Sequence, residues 1–273
     1  MERDLYTLKP PTRWVGSRLD VHEVLDSTNR EAERLAAAGA PEGTLVIADR
    51  QTAGRGRLGR SFFSPPGGGL YLSLLLRPEG PVDRVHENIF AAAVAVAEAV
   101  RAHVPSVPLE IKWPNDVLLD RRKTSGINLP AQIEGTRVAS AILGIGVNVN
   151  TRASEFPEEL QSIATSLRIA GGQTLDRTAF AEDLLGRLEQ WIDKLRGDGF
   201  DAVLDCWRRY FRMKGASVRV GGPGVSEEIE GTVEGVAPDG ALLLDVVRAG
   251  EVCRERILAG DVTLLGSMRP SEV

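Results

Sequence analysis

Apolar and polar positions change period several times along this chain, and each change marks an element. Short apolar runs at 21–25, 44–49 and 69–77 read as strands, the third rich in leucine (Leu70, Leu72, Leu74, Leu75, Leu76). Between the first two, Thr28 and Glu31 have capping-box spacing and Gly39 suits a C′ stop, which predicts a helix over Asn29–Ala38. An Ala/Val-rich helix is expected over 87–103, packed on a sheet. Strand-like pieces follow at 109–113, 116–119, 124–129 and 138–149, and Gly144 and Gly146 in the last one predict close backbone approach. Phe180, Leu184, Leu185, Leu188, Trp191, Ile192 and Leu195 recur on one face of a helix over 177–196, with another expected over 200–211.

The character changes near Lys214. From Ala216 to Leu265, short alternating segments are separated by turn signals at Gly221-Gly222-Pro223-Gly224, Pro238-Asp239-Gly240 and Ala249-Gly250. That is the pattern of a small β-barrel or sandwich, so a boundary is placed at 213, dividing the chain into 1–213 and 214–273.

A length of 273 residues is enough to bury a full core and suggests more than one domain. The net charge of −5 and a pI near 5.4 argue against general nucleic-acid binding, which calls for a basic face. Only Cys206 and Cys253 occur, so no disulfide framework is implied and a reducing compartment fits. The first residues do not read as a secretory leader, and the longest apolar run, Ile89 to Val96, is too short to span a membrane. These features predict a cytoplasmic protein with no membrane partner.

The densest chemistry lies in Gly54-Arg55-Gly56-Arg57-Leu58-Gly59-Arg60, three glycines and three arginines in seven residues. Glycine lets backbone come close to a ligand, and arginine offers forked donors to carboxylate or phosphate. The spacing matches G-x-G-x-x-G, but a Rossmann turn opens into a helix, and Pro65-Pro66 soon follows here. The plain alternative is a solvated basic loop. Lys112-Trp113-Pro114-Asn115-Asp116 sets a cation, an aromatic, a rigid turn and two polar side chains after a short strand; Asp116 is a candidate Mg²⁺ ligand, against a structural turn as the plain reading. Lys123 precedes a small-residue segment and suits a nucleotide pocket, although charge runs such as Arg121-Arg122-Lys123 are usually solvated. Asp26-Ser27-Thr28-Asn29 is explained by a helix cap, yet the same groups can bind a polar ligand head. There is no P-loop, no metal-ligand spacing among His22, His86, His103 and the cysteines, and no nucleophile elbow. An enzyme built this way would work by positioning anions, with the nucleophile supplied by its substrates.

Taken in order, these segments resemble the biotin protein ligase family. The resemblance rests on Asp26–Asn29, Gln51–Arg60, Gly69-Leu70-Tyr71-Leu72-Ser73, Ile111–Asp116, Lys123-x-x-Gly126-Ile127 and Gly144-Ile145-Gly146-Val147-Asn148-Val149-Asn150, six motifs over about 125 residues. It implies an α+β fold: a mixed β-sheet flanked by helices, of the class II aminoacyl-tRNA synthetase/biotin ligase type, with a small C-terminal SH3-like β-barrel. It further implies two half-reactions with ATP, Mg²⁺ and biotin, giving biotinyl-5′-AMP and then a biotinylated lysine on the biotin carboxyl carrier protein of acetyl-CoA carboxylase. By that analogy Ser27, Thr28, Asn29, Gln51, Gly54, Arg55, Gly56, Arg57, Lys123 and Gly126 hold biotin. Arg57, Arg60, Lys112, Trp113, Asn115, Asp116, Lys123 and Asn148 hold ATP or the adenylate, with Arg57, Lys112 and Lys123 acting in catalysis and Asp116 on Mg²⁺.

The sequence departs from the family pattern after Gly126-Ile127, where an aliphatic and then an acidic residue are usual but Asn128-Leu129-Pro130 stands here. Pro130 cannot donate to a ladder, which predicts interrupted pairing and affects any homodimer contact through that strand. About twenty residues precede the first motif, too few for the winged-helix domain of repressor-type members, so no DNA partner is expected. A lipoate or octanoate ligase is the nearest rival reading, and a non-catalytic nucleic-acid-binding protein is the rival from another class.

Overall fold

The computed structural model describes residues 5–222 and 227–265, and the chain divides into two compact units, Met1–Tyr210 and Phe211–Val273. In the first unit the strands are β1 (Arg18–Leu25), β2 (Thr44–Gln51), β3 (Gly69–Leu76), β4 (Leu109–Lys112), β5 (Asp116–Leu119), β6 (Arg122–Asn128), β7 (Ala131–Glu134) and β8 (Arg137–Asn148). The helices are α1 (Thr28–Ala37), α2 (Glu87–His103), the short α3 (Glu158–Gln161) and α4 (Leu167–Gly171), α5 (Arg177–Asp198) and α6 (Phe200–Arg208). The strands form one mixed sheet in the order β1-β2-β3-β8-β6-β5-β4, with β7 also paired to β8. Only β1 and β2 run parallel; the other pairs are antiparallel.

Every residue of β3 is buried, which is why that segment reads as a continuous leucine run. Helix α1 packs Ala32 and Leu35 onto Val46, Leu75 and Ile142. Gly39, at φ +82, closes this helix as expected, with its N–H on Ala36 and the Ala40 N–H on Leu35. The apolar α2 lies against β4, β5 and β6 and also packs on α5 and α6, so it is buried almost all round. Phe90 meets Phe200 and Trp207 at ring-centroid distances of 5.2 and 5.1 Å. Asp176 caps α5 by accepting from the Thr178 and Ala179 N–H groups. Further along α5, the Glu189 carboxylate accepts the consecutive N–H groups of Arg13, Trp14 and Val15 and ties the N-terminal segment down.

Pro130 does interrupt strand pairing. β6 leaves β8 after Asn128, the Pro130 carbonyl accepts from Ile142 N, and pairing resumes in β7. The expected capping box at Thr28 is not formed. The N-cap is Ser27, which makes no side-chain cap bond, and Thr28 is the first helical residue. The reason is competition: the Thr28 N–H and hydroxyl both donate to Gln51, and Glu31 is drawn to Arg34. The helix expected over 200–211 ends at Arg208.

The second unit holds β9 (Ser217–Gly221), β10 (Ile229–Val236), β11 (Leu242–Arg248), β12 (Glu251–Ile257) and β13 (Asp261–Leu264). They form one antiparallel sheet, β12-β11-β10-β9-β13; among the described residues no β12–β13 pairing closes it. Ala249 and Gly250 both take positive φ in the β11–β12 turn, the geometry a two-residue hairpin requires. The turn signal at Gly221–Gly224 falls partly outside the described residues. No helix among them is long and apolar enough to cross a membrane.

Candidate active site

The end of β2 and the start of α1 are locked together by one side chain. Gln51 Oε1 accepts from Thr28 N (2.9 Å) and Oγ1 (3.1 Å), while Gln51 Nε2 donates to Ser64 Oγ (2.9 Å). The arginine–glycine segment lies between Gln51 and Ser64 as a folded loop. Arg55 bridges Ser61, Gly56 N donates to Arg60 O at 2.7 Å, and Arg57–Gly59 make one 3₁₀ turn. A Cβ at Gly54 would stand 2.5 Å from the Phe62 carbonyl oxygen, so only glycine fits there. No helix follows, as the prolines predict.

Beneath this loop, β6 and β8 supply a floor without side chains where Gly126 pairs with Gly146. Each glycine admits a particular group. A Cβ on Gly146 would lie 2.6 Å from the Phe62 ring, and one on Gly126 would lie 3.0 Å from Lys123 Cε. At Gly144 a Cβ would intrude on the side-chain oxygens of Asn29 and Asn128. The result is a cleft of about 390 Å³, measured to its open mouth.

Charge is concentrated at one end. Arg57 Nη1 donates to Asn115 Oδ1 at 2.8 Å, and Asn115 Nδ2 donates to Ile127 O at 2.7 Å. Lys123 Nζ is 2.7 Å from Asp116 Oδ1. Burial pushes the Lys112 ammonium below its ordinary pKa; Asp116 opposes that, and Lys123 and Arg60 reinforce it. Burial likewise lowers the Arg57 guanidinium, again against Asp116 and with Arg60. The charges of Asp116 and Arg60 thus act on both Arg57 and Lys112, while Lys123 acts on Lys112 and meets Asp116 directly. An anionic ligand beside these groups would favour their charged forms.

Of the residues expected from the sequence, Thr28, Asn29, Gln51, Arg55, Gly56, Arg57, Asn115, Lys123 and Gly126 line this cleft. Lys112, Asp116 and Arg60 join it through charge. Ser27 is buried at the helix start and its hydroxyl has no partner. Trp113, which precedes a cis Pro114, is buried and does not line the cleft. Asn148 is buried too and donates to the Thr165 carbonyl. The sequence reading did not assign Phe62, Ser73, Leu72, Ile145 or Asn128 to the site. The only prior signal for Asn128 was that it departs from the family pattern.

A folded glycine-and-arginine loop over a mixed sheet, with a lysine–aspartate turn beside it, defines a ligand-activating α+β domain rather than a dinucleotide-binding fold. The model of the biotin/lipoate A/B protein ligase family matches residues 21–148. The bifunctional ligase/repressor BirA of Bacillus subtilis is 39% identical over 234 residues, 86% of this chain and 71% of that one. The biotin–[acetyl-CoA-carboxylase] ligase of Mycobacterium tuberculosis is 34% identical over 249 residues, 88% of this chain and 90% of that one. Among solved structures, biotin protein ligase from Aquifex aeolicus in complex with biotin and ATP superposes with a TM-score of 0.76 at 31% identity, covering 92% of this chain and 100% of that one. The chain belongs to the biotin/lipoate A/B protein ligase family, on the biotin protein ligase side of it.

Proposed function

We propose that this chain is an ATP-dependent biotin–protein ligase that works through an acyl-adenylate. In the first half-reaction a carboxylate oxygen of biotin attacks the α-phosphorus of ATP, the bond to the β-phosphate oxygen breaks, and pyrophosphate leaves. In the second, the ε-amine of an acceptor lysine attacks the acyl carbon; AMP leaves with the bonding electron pair and the amine gives up a proton. The observation that carries the reading is the cluster of Arg57, Arg60, Lys112 and Lys123 at one end of a glycine-floored cleft. Two anions must meet in the first step, and preorganised cations lower that electrostatic barrier.

Within this scheme Thr28 and Gln51 sit where they can hold a polar head group, and Ser27 keeps a buried hydroxyl nearby. Arg57 and Lys123 stabilise carboxylate and α-phosphate charge, and Lys112, Arg60 and Asn115 orient the nucleotide. Asp116 is the carboxylate that meets Lys123, and one carboxylate would suffice for a Mg²⁺ carried mainly by phosphate oxygens and water. Mg²⁺, when bound there, would supply charge neutralisation on the phosphates. The acceptor is the carrier protein of acetyl-CoA carboxylase, the second unit is an SH3-like domain, and the cytoplasm is the compartment. Two free cysteines, Cys206 and Cys253, suit that compartment.

Incubation with biotin, Mg·ATP and an apo carrier domain tests the reading by mass spectrometry. The expected result is one biotinyl increment on the carrier; none with biotin but one with lipoate or octanoate would overturn it.

A further inference from the structure

A run of buried side-chain hydrogen bonds leads out of the sheet and ends on the arginine loop. Ser73 Oγ on β3 donates to Asn29 Oδ1 at 2.7 Å, and Asn29 Nδ2 donates to Asn128 Oδ1 at 2.7 Å. Asn128 Nδ2 then donates to the main-chain carbonyl of Arg55, also at 2.7 Å. Ser73, Asn29 and Asn128 are all buried. Each end of the Asn128 amide is therefore committed, and the Asn29 donor fixes which end faces the loop. Gly144 leaves the space in which the two asparagine oxygens meet. Outside the cleft, Arg55 Nη1 stands 3.6 Å from Glu33 of α1, half exposed.

We propose that Asn128 is a positioning residue that holds the arginine loop in place over the cleft before any ligand arrives. It acts through the Arg55 backbone and not on the reacting atoms. Ordering a loop on binding subtracts from affinity, and a contact that orders it beforehand removes that cost. Gly54, Gly56 and Gly59 would otherwise leave this segment with a large conformational entropy to lose. An aliphatic side chain at this position would have no group to donate to the Arg55 carbonyl, so the contact depends on the amide of Asn128. The effect on biotin binding rests on the function proposed above, whereas the state of the unliganded loop does not.

The test compares the wild-type chain with Asn128→Asp and Asn128→Leu, without ligand, by limited trypsin digestion mapped by mass spectrometry. Asn128→Asp keeps an acceptor toward Asn29 and places a carboxylate oxygen against the Arg55 carbonyl. Asn128→Leu removes both polar ends. Cleavage after Arg55, Arg57 and Arg60 is expected to accelerate about fivefold or more in both variants, the worth of one buried hydrogen bond. In pyrophosphate exchange the KM for biotin should rise by a similar factor, while kcat changes less than twofold. General unfolding is told apart because cleavage would then spread over the whole chain, and the near-isosteric Asn128→Asp supplies the folded comparison. Wild-type cleavage rates at the three arginines in Asn128→Asp would overturn the proposal, as would a fall in kcat with KM unchanged. If the wild-type chain turned over no biotin at all, the assigned reaction would fail while the digestion still decided the role of Asn128.

Discussion

Replacing Gly144 by alanine tests the packing beneath the loop most directly. The new Cβ would lie under 3.0 Å from both Asn29 Oδ1 and Asn128 Oδ1, closer than real Cβ atoms approach. Neither oxygen can yield cheaply, because each accepts a 2.7 Å hydrogen bond, from Ser73 and from Asn29 respectively. Moving both breaks two bonds in a region where all three side chains are buried and water cannot replace the partner. Each such loss costs about 1–2 kcal/mol, so the substitution is expected to destabilise the first unit by about 3 kcal/mol. For a unit of this size that lowers Tm by roughly 10 °C. Gly197→Ala is the control: it lies within α5 with nothing within 4 Å of a Cβ, and should leave stability unchanged or raise it by up to about 1 kcal/mol. Differential scanning calorimetry on both variants decides the matter. A Tm for Gly144→Ala within about 2 °C of wild type, with Gly197→Ala behaving as expected, would refute the reasoning.

Other consequences are open to measurement. Lys123→Ala and Arg57→Gly should each slow pyrophosphate exchange by about a hundredfold with Tm little changed, and Arg57→Gly should also release adenylate faster; wild-type rates in both would remove these residues from the chemistry. Glu189 is held below the ordinary carboxylate range by the N–H groups of Arg13, Trp14 and Val15, which outweigh its burial. Its contribution to stability is therefore present above the unfolded carboxylate pKa of about 4.3 and is lost as pH falls through the lower folded value. Glu189→Gln should cost about 1–3 kcal/mol at pH 7 and flatten the acid side of a stability–pH profile, read by urea unfolding; an unchanged profile would show that the carboxylate does not hold this segment. Asp116→Asn removes the charge that opposes desolvation of Lys112, so the alkaline limb of adenylate formation should move to lower pH. A limb that stays put would mean that Lys112 does not set it.

Local patterns in the sequence carried the elements well where their partners were near in the chain. The helix over 177–196 was visible from its apolar face and Gly39 from its place as a stop, since both signals lie within a few residues. The cations of the site were equally legible as types: Arg55, Arg57, Lys112 and Lys123 stand in short dense runs. What they meet was not legible. Thr28 and Glu31 have capping-box spacing, yet Gln51, 23 residues on, takes both donors of Thr28. Gly144 and Gly146 announced close approach, but the approaching groups, Asn29, Asn128 and Phe62, come from three other segments that only the sheet order brings together. Asn128 shows the limit most sharply. In the sequence it only breaks a pattern, whereas in the fold both ends of its amide are committed and one of them reaches the loop that carries the arginines. A substitution from apolar to polar at a buried position costs stability unless its hydrogen bonds are met. Here they are met, by a side chain 99 residues away and a carbonyl 73 residues away. Asn128 therefore carries its polar amide into the core with a partner at each end, one of them on the loop.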